Sequence, residues 1–497
     1  MQRTRRRFLV KRSLVMTLLG CTVAVLAGCV GQGGVDQISV EGLARGESVT
    51  LLDNGATAET FSANGVTSFP QLWLSLRTDQ NDYNITVQSH TPGIVCAMST
   101  NASGSLQYAN ITVTATCRAG TESALWSFGG PKDGQNPQAG LIMDTSGNLY
   151  GTTSQGGANG AGAVFEIPTS TNGYGPESVL WSFGAPGDGQ NPQAALIMDS
   201  SGNLYGTTQY GGAYGYGAAF EIPKAASGYG PESVLWSFGA PGDGQYPKAG
   251  LIMDSSGNLY GVTYGGANAP GVVFEIPKTA SGYGTESVLW SFGSPGDGQN
   301  PAAGLLMDSS GNLYGTTSSG GASAQGAVFE IPRTASGYGT ESVLWSFGAP
   351  GDGQNPQAGL LMDNSGNLYG TTSRGGANGQ GAVFEIPKTA SGYGTESVLW
   401  SFGAMPDGQV PYAGLLMDGS GNLYGTTTNG GANGQGGVFE IPKTASGYGT
   451  ESVLWSFGAM PDGQVPYAGL IMDSSGNVYG TTFKGGTHGK GAVFEIN

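Results

Sequence analysis

The chain has 497 residues, a formal net charge of −16, 91 glycines, 11% charged residues and only two histidines. This acidity excludes nucleic-acid binding driven by net charge. His90 and His488 also leave little material for histidine-based catalysis or zinc binding. Apolar residues make up 38% of the chain and recur at fixed spacings between glycines, which favours many short strands over a disordered chain.

Residues 1–28 are predicted to be a signal peptide. They carry six basic residues, no acidic ones and an apolar run of about fifteen residues, which is short for a membrane-spanning helix. The run ends in Leu26-Ala27-Gly28-Cys29, which resembles a bacterial lipobox. That resemblance implies a lipid on Cys29 and a mature chain of net charge −22 in the cell envelope. Val30, in place of aspartate, implies the outer membrane or cell surface.

The leader leaves the export route open. Arg5-Arg6 followed by Phe8-Leu9 resembles a twin-arginine motif, which would imply export of a folded protein, whereas arginine runs also occur in ordinary leaders. Residues 29–36 are predicted to be the lipidated N-terminus and a flexible linker, because GQGG at 31–34 is glycine-rich.

Residues 37–118 are predicted to form a small β-sandwich. Alternating runs such as SVTLL, ETFSA, QLWLSL and YNITVQS are separated by turn residues about every ten positions. The stretch resembles bacterial immunoglobulin-like modules, which implies a spacer between the lipid and the rest of the chain. Cys96 and Cys117 are the two cysteines that remain after the leader and Cys29, and an even pair in an exported chain predicts one disulfide.

Residues 120–497 contain seven repeats. The phrase LWSF recurs at intervals of 54 or 55 residues, and each unit has four strand-like runs exemplified by AGLIMD, NLYGTT, AVFEIP and ESVLWSFG. Four antiparallel strands per unit are typical of a propeller blade. The tryptophans of the phrase are Trp126, Trp181, Trp236, Trp290, Trp345, Trp400 and Trp455.

The points where the repeats begin and end favour a closed ring. The region opens with a lone fourth strand, ESALWSF at 122–128, and closes with a third strand, GAVFEIN at 491–497. The first strand can therefore complete the last blade, whereas an open solenoid would need atypical capping repeats. We predict an all-β chain with a seven-bladed β-propeller of about 55-residue blades, closed by an N-terminal strand and preceded by the immunoglobulin-like sandwich.

The repeat unit GLIMDSSGNLYGTT…GG…GAVFEI resembles the GloVer tandem repeat, which is named for Gloeobacter and Verrucomicrobia. The resemblance covers about three quarters of the chain. It implies an exported or surface-anchored repeat protein and no particular activity. The D-x-x-GN-Y core also resembles NHL-type propeller repeats.

The carboxylates give no unique catalytic pair. The repeats contain four acidic positions, in MD, DGQ, FEI and ES, and each occurs seven times. Because a catalytic pair needs two acids in different environments, repetition argues against an active site, and we predict no catalytic residue, cofactor or metal site. Asp144, Ser146 and Asn148 echo the start of a calcium loop, but the later glutamate is missing, so a turn is favoured and weak calcium binding stays open. The recurring tryptophans are predicted to pack between blades, with sugar stacking as the alternative.

Comparison of the repeats with one another locates their variation in two loops. One follows GTT, the other precedes AGL, and both are predicted to lie on the same rim of the ring. The rest of each repeat barely changes, so this rim is a candidate binding face, with neutral drift in exposed loops as the alternative. Its candidate residues are Gln209, Tyr210, Tyr214, Tyr216, Tyr246, Lys248, Tyr264, Arg374, Tyr412, Tyr467, Phe483, Lys484, His488 and Lys490.

The sequence therefore predicts a non-catalytic cell-envelope lipoprotein that binds glycans or envelope proteins. Its expected partners are the membrane, through the lipid on Cys29, and such a glycan or protein, but no nucleic acid. Two alternatives stay open: an enzyme that acts on extracellular polysaccharide, and an architectural protein that self-associates.

Overall fold

The computed structural model describes residues 122–497 apart from 172, 267–268, 404–406, 445 and 459–460, and the backbone of eight strands between residues 22 and 119. The chain divides into two compact units, Met1–Ala119 and Gly120–Asn497. No helix in the described part of the chain is long and apolar enough to cross a membrane.

The first unit contains two four-stranded sheets. One has the order Thr22–Leu26, Val35–Glu41, Ile111–Ala119 and Ile94–Met98; the other has the order Thr57–Ser62, Ser48–Asp53, Asp82–His90 and Ser103–Ser105. The strand Thr22–Leu26 lies inside the predicted signal peptide. The predicted strand QLWLSL and Cys29 lie outside the described residues.

The register of the first unit places two cysteines opposite one another. Cys96 and Cys117 are Cα partners in the antiparallel pair of Ile94–Met98 and Ile111–Ala119. Directly opposed residues on antiparallel strands have Cα atoms about 4.5–5.5 Å apart, a separation that a disulfide can span. The disulfide stays a prediction.

The second unit is a seven-bladed β-propeller, as the repeat pattern predicted. Each blade is an antiparallel four-stranded sheet whose strands follow one another from the inside outwards. The inner strands are Ile142–Met143, Ile197–Met198, Ile252–Met253, Leu306–Met307, Leu361–Met362, Leu416–Met417 and Ile471–Met472. The second strands are Leu149–Thr153, Leu204–Thr208, Leu259–Thr263, Leu313–Thr317, Leu368–Thr372, Leu423–Thr427 and Val478–Thr482.

The third and outer strands complete the blades. The third strands are Ala163–Ile167, Ala218–Ile222, Val272–Ile276, Ala327–Ile331, Ala382–Ile386, Gly437–Ile441 and Ala492–Ile496. The outer strands of blades 1 to 6 are Ser178–Ser182, Ser233–Ser237, Ser287–Ser291, Ser342–Ser346, Ser397–Ser401 and Ser452–Ser456. The inner strands have only two residues each, so they are shorter than the AGLIMD run suggested.

The predicted closure is confirmed. The outer strand of blade 7 is Glu122–Ser127, from the start of the repeat region, and it pairs antiparallel with Ala492–Ile496. Phe128 continues this contact, because its amide donates to the Gly491 carbonyl oxygen at 2.9 Å. The ring is therefore joined by hydrogen bonds between its first and last strands, and no blade is left with three strands.

Two kinds of short ribbon, which the repeat pattern did not predict, extend the blades. The first joins the connection that enters a blade to the loop after its second strand, as in Gly134–Gln135 with Gln155–Gly156. A Cβ on Gly156, whose φ is +79°, would lie 2.5 Å from the Asp133 carbonyl oxygen, so this ribbon requires glycine. The other members of this kind are Gly189–Gln190 with Tyr210–Gly211, Gly244–Gln245 with Gly265–Gly266, Gly298–Gln299 with Ser319–Gly320, Gly353–Gln354 with Arg374–Gly375, Gly408–Gln409 with Asn429–Gly430, and Gly463–Gln464 with Lys484–Gly485.

The second kind of ribbon lies between the third and outer strands of blades 1 to 6. It is represented by Thr169–Ser170 paired with Gly173–Tyr174. The others are Lys224–Ala225 with Gly228–Tyr229, Lys278–Thr279 with Gly282–Tyr283, Arg333–Thr334 with Gly337–Tyr338, Lys388–Thr389 with Gly392–Tyr393, and Lys443–Thr444 with Gly447–Tyr448.

The core of the propeller lies between neighbouring blades. Phe128 and Val493 of blade 7 pack in one buried cluster with Leu149 and Phe165 of blade 1, and the half-buried Trp126 packs against it. Equivalent clusters repeat at other junctions and include Trp181, Trp236, Trp290, Trp345 and Trp400. The tryptophan positions therefore pack between blades, as predicted.

A ring of small residues lines the axis. A Cβ on Gly250 would lie 3.1 Å from the Ala195 carbonyl oxygen, and similar close approaches link each blade to the next. Larger side chains would separate the inner strands at this point. The ring consists of Gly140, Ala195, Gly250, Gly304, Gly359, Gly414 and Gly469.

Threonine hydroxyls form hydrogen bonds between six pairs of blades. Thr152 Oγ1 donates to the Ala194 carbonyl oxygen at 3.1 Å, and Thr316 Oγ1 donates to that of Ala358 at 2.8 Å. At the same position blade 3 has Val262, which is 1% exposed and has no hydroxyl. The other donors are Thr207, Thr371, Thr426 and Thr481.

Val262→Thr is expected to raise the free energy of unfolding by about 1 kcal/mol, because it adds a buried hydrogen bond with almost no change in shape. Thr316→Val should lower it by about the same amount or more, because the Ala358 carbonyl oxygen loses its donor. Urea unfolding of both variants measures this. A neutral result for both would show that these bonds contribute nothing to the contact between blades.

Candidate binding rim

The connections and turns gather on two rims of the propeller. The ribbons of the first kind bring the connection into each blade beside the loop after its second strand, and we call this side the variable rim. On the opposite side the turn after the inner strand meets the ribbon after the third strand, because the Thr169 amide donates to Asn148 Oδ1 at 2.8 Å. We call that side the uniform rim.

The uniform rim is built around an aspartate turn in every blade. Asp144 Oδ1 accepts the amides of Ser146 and Asn148, while Oδ2 accepts Asn148 Nδ2 and the Tyr150 hydroxyl. Burial opposes ionisation of Asp144, but the hydrogen bonds from Asn148 and Ser146 outweigh it and lower its pKa. The carboxylate is thus occupied by donors from its own turn, as expected of a structural aspartate.

Lysine and tyrosine side chains cover this turn in a repeated way. Lys224 Nζ lies 3.9 Å from the centre of the Tyr229 ring, and Tyr229 meets Tyr150 of the preceding blade edge to face at 5.8 Å. The same contacts recur in later blades, for example Lys278 on Tyr283. The cations of the uniform rim are therefore part of a repeated structural contact.

Facing carboxyl groups recur beneath the variable rim. Glu177, which precedes the outer strand of blade 1, faces Asp133, which lies in the connection into that blade. Burial and the nearby Asp133 charge raise the pKa of Glu177 to about 8. Asp133 is 8% exposed, and its Oδ2 accepts hydrogen bonds from Trp126 Nε1 and the Gly129 amide. Because the same pair occurs in each blade, it does not mark one catalytic centre.

Residues at the rim end of the inner strands differ from blade to blade. They lie two positions before the axial ring of small residues, and we call them the mouth residues. In blade 2, Gln193 Nε2 donates to Asn191 Oδ1 at 2.6 Å and to Gln209 Oε1 at 2.7 Å. The seven mouth residues are Gln138, Gln193, Lys248, Ala302, Gln357, Tyr412 and Tyr467.

Predicted rim residues of blades 2 and 3 form what we call the tyrosine cluster, in which Tyr246 contacts Tyr210 and Tyr216, and Tyr214 belongs to the loop that carries those two residues. Tyr246 meets Tyr210 at 5.8 Å and Tyr216 at 5.4 Å, both edge to face. Tyr210 and Tyr214 are 44% and 55% exposed, unusually open for large aromatic side chains. Beside them, Lys248 Nζ lies 4.0 Å from the centre of the Tyr264 ring, and burial lowers the pKa of Lys248.

Predicted rim residues of blades 6 and 7 form a second cluster, which we call the mouth cluster: Tyr412, Tyr467 and Phe483. The Tyr467 ring lies 5.5 Å from Tyr412 and 5.5 Å from Phe483. Tyr467 is 36% exposed, and burial of the rest of the side chain together with Tyr412 raises its pKa. Two of the seven mouth residues thus meet in one aromatic surface.

Other predicted rim residues lie apart from these clusters or have another role. Gln209 is only 7% exposed and accepts a hydrogen bond from Gln193, so it supports a neighbour and presents little surface. Arg374 is exposed in a ribbon of blade 5, whereas the two clusters are formed by residues of blades 2, 3, 6 and 7. Lys484, His488 and Lys490 are exposed in blade 7, where a Cβ on Gly129 would touch His488 and Lys490.

The sequence comparison singled out Tyr246 at one position of the variable rim, but it missed that this position has left-handed backbone in every blade. The position is occupied by asparagine in four blades, but by Tyr246, Val410 and Val465 in the others, always with φ between 57° and 61°. The internal asparagines could have revealed it, because asparagine is the non-glycine residue that best tolerates left-handed backbone.

A sequence model described as "Gloeobacter/Verrucomicrobia repeat" matches residues 93–329 and 279–494. No curated protein matches the chain.

Two solved structures have a similar arrangement at low identity. One is a "putative 6-phosphogluconolactonase" from Bacteroides uniformis, with 13% identity, a TM-score of 0.43, and coverage of 75% of this chain and 96% of that one. The other is a puromycin-hydrolyzing peptidase from Mycobacterium tuberculosis, with 12% identity and a TM-score of 0.44. That match covers 71% of this chain and 53% of the peptidase chain.

Proposed function

This chain belongs to the Gloeobacter/Verrucomicrobia repeat family, and on that premise we propose that it is a non-catalytic binding scaffold of the bacterial cell envelope. Its variable rim would bind glycans or envelope proteins. The observation that carries the proposal is the gathering of exposed aromatic side chains into two clusters on one rim of an otherwise repetitive ring.

Exposed tyrosines on a rigid support suit recognition. A tyrosine offers a flat apolar face and a hydroxyl with little conformational entropy to lose, so it is favoured at binding surfaces. Tyr246 and Tyr216 hold each other across the junction of blades 2 and 3, which fixes the cluster before any ligand arrives. Sugar rings and protein side chains are both ligands that such a surface can contact.

The repetition of the acidic residues supports a role without catalysis. Acid–base catalysis by a pair of carboxyl groups needs two groups with different pKa values at one site. Here the pKa of Glu177 is raised, but burial and a facing aspartate raise the pKa of Glu286 and Glu396 in the same way. No single blade therefore stands out as a catalytic centre. A lipid on Cys29 would hold the scaffold at the membrane, and the predicted sandwich would set its distance from it.

Binding of a ligand by the variable rim is expected to weaken at least tenfold, about 1.4 kcal/mol, when Tyr210, Tyr214 and Tyr216 are all changed to alanine. The exported chain without lipid, residues 30–497, would be screened on a glycan array and by pull-down from envelope extracts, with calcium and with chelator. Affinity for each hit is then compared between the parent and the triple variant.

Lys224→Ala on the uniform rim is the matched control, because it removes an exposed side chain from the same blade and should leave affinity unchanged. Equal affinity of the parent and the triple variant would contradict a role for the tyrosine cluster. Turnover of a polysaccharide hit would contradict the non-catalytic assignment.

A further inference from the structure

The backbone of the variable rim is strained in blades 6 and 7. Val410 and Val465 each have φ of +59°, where Asn136, Asn191, Asn300 and Asn355 stand in four other blades. A β-branched residue is rarely found in this left-handed region because its side chain crowds the backbone. Blades 6 and 7 therefore carry valine at a position where four other blades carry asparagine, which tolerates this backbone conformation better.

These two valines also lose a contact between blades. Asn136 Nδ2 donates to the Phe483 carbonyl oxygen at 3.0 Å, and Asn355 Nδ2 donates to that of Ser318 at 2.7 Å. Asn191 and Asn300 make the same bond to the preceding blade. Valine has no donor, so blades 6 and 7 give up a hydrogen bond as well as a relaxed backbone.

Two of the three positions that lack the favourable asparagine, Val410 and Val465, lie beside the mouth cluster, and the third, Tyr246, belongs to the tyrosine cluster. Val410 and Val465 lie two residues before Tyr412 and Tyr467, whereas the asparagines of blades 1, 2 and 5 precede glutamine at the mouth. Backbone strain persists where the surrounding structure enforces it, and it concentrates at functional sites. In both blades the strained valine and the mouth tyrosine occur together within the shared sequence GAMPDGQVPYAGL.

The loop that carries Phe483 also carries basic groups. Among the described residues of the variable rim, the exposed formally charged side chains are Lys132, Arg374, Lys484 and Lys490, although the whole chain has a net charge of −16. The aspartates of the same rim are at most 8% exposed. Lys484 directly follows Phe483, and Lys490 and His488 share its loop.

We infer that the junction of blades 6, 7 and 1 binds an acidic polysaccharide. A pyranose ring stacks on the exposed face of Tyr467, beside Phe483, and carboxylate or sulfate groups of the chain meet Lys484 and Lys490. Stacking holds the sugar ring in place, and ion pairs with the lysine ammonium groups favour a negatively charged polysaccharide over a neutral one. This inference rests on the proposed function and names the ligand class and the sector of the rim.

The test is calorimetric titration of residues 30–497 with matched acidic and neutral glycans. Polygalacturonate is compared with its methyl ester, and dextran sulfate with dextran, so that uronate and sulfate sources are distinguished. We expect at least one acidic glycan to bind at least tenfold more tightly than its neutral partner. Tyr467→Ala, and Lys484→Gln combined with Lys490→Gln, should each weaken that binding at least tenfold. Arg374→Gln, on the same rim in blade 5, should not.

Val465→Asn tests the link between strain and binding. It should raise the Tm, because asparagine relieves the left-handed backbone and restores the donor, and it should weaken acidic-glycan binding. A higher Tm with full affinity would overturn the inference that the strain serves this site.

Other outcomes also decide the inference. The inference would be overturned if acidic and neutral glycans bind equally well, or if neither acidic glycan binds. It would also be overturned if affinity falls with the lysine changes but not with Tyr467→Ala. If acidic-glycan affinity falls in the triple alanine variant of Tyr210, Tyr214 and Tyr216 but not in Tyr467→Ala, the inference about this sector is overturned, while the proposed binding function stays in place.

Discussion

Deletion of residues 122–128 from the full chain is expected to lower the free energy of unfolding by roughly 5 kcal/mol or more, because it removes three large side chains from the junction of blades 7 and 1. Phe128 is fully buried there, and Leu125 and Trp126 pack against the same cluster. The deletion also leaves Ala492–Ile496 without its outer partner. Urea unfolding followed by tryptophan fluorescence measures the loss.

A rearranged chain provides the control for the deletion. In it, residues 122–128 follow Asn497 through a copy of residues 443–450, which in blade 6 join Pro442, the counterpart of Asn497, to Glu451, the counterpart of Glu122. This arrangement gives blade 7 the chain order of the other six blades and should restore stability. An unchanged free energy of unfolding in the deletion variant would mean that ring closure does not stabilise the propeller.

The propeller is expected to be more stable near pH 5 than near pH 8. Burial and a facing aspartate raise the pKa of Glu177, Glu286 and Glu396 to about 8. Burial and a facing aspartate also raise the pKa of two further glutamates to about 7. These are Glu122, which faces Asp462, and Glu232, which faces Asp188. Because these groups hold their protons more tightly in the folded chain, their contribution to stability is complete below about pH 4.5 and is lost as the pH rises through 7–8.

The expected size is about 1 kcal/mol for each pair, after allowance for solvent screening of groups that keep some contact with water. The pairs therefore sum to several kcal/mol across the ring. Asp144 and its equivalents Asp199 and Asp254 act in the opposite direction, because their lowered pKa makes their contribution fade as the pH falls below about 4. Stability should consequently peak in mild acid.

Glu177→Gln separates this mechanism from general charge effects. The amide cannot ionise and can donate to the facing Asp133, so the variant should be more stable than the parent at pH 8 and close to it at pH 5. Glu166→Gln in the same blade is the control, since Glu166 accepts a hydrogen bond from the Tyr150 hydroxyl and belongs to none of the Glu–Asp pairs beneath the variable rim. A parent protein that is equally stable at pH 5 and pH 8 would rule out the raised pKa values of these glutamates as a source of stability.

Sequence comparison singled out residues of both aromatic clusters but assigned no contacts among them. Tyr412, Tyr467 and Phe483 were all singled out as variable, yet nothing in the repeat pattern said that they touch across two blades. Gln209 looked equally exposed and is buried. The strained Val410 and Val465 went unnoticed, because a left-handed backbone is visible only in the folded chain.

The amino-acid sequence by itself determined the number of blades, their four-stranded composition and the closure by residues 122–127. These follow from apolar spacing, from turn residues and from the point at which the repeats begin, all of which are local features. Only the tertiary structure decided which side chains meet: Tyr150 with Tyr229 and Tyr412 with Tyr467 between blades, and Glu177 with Asp133 at the connection into blade 1. Those contacts depend on the angle and distance at which one sheet packs on the next, which the residues of a single repeat do not specify.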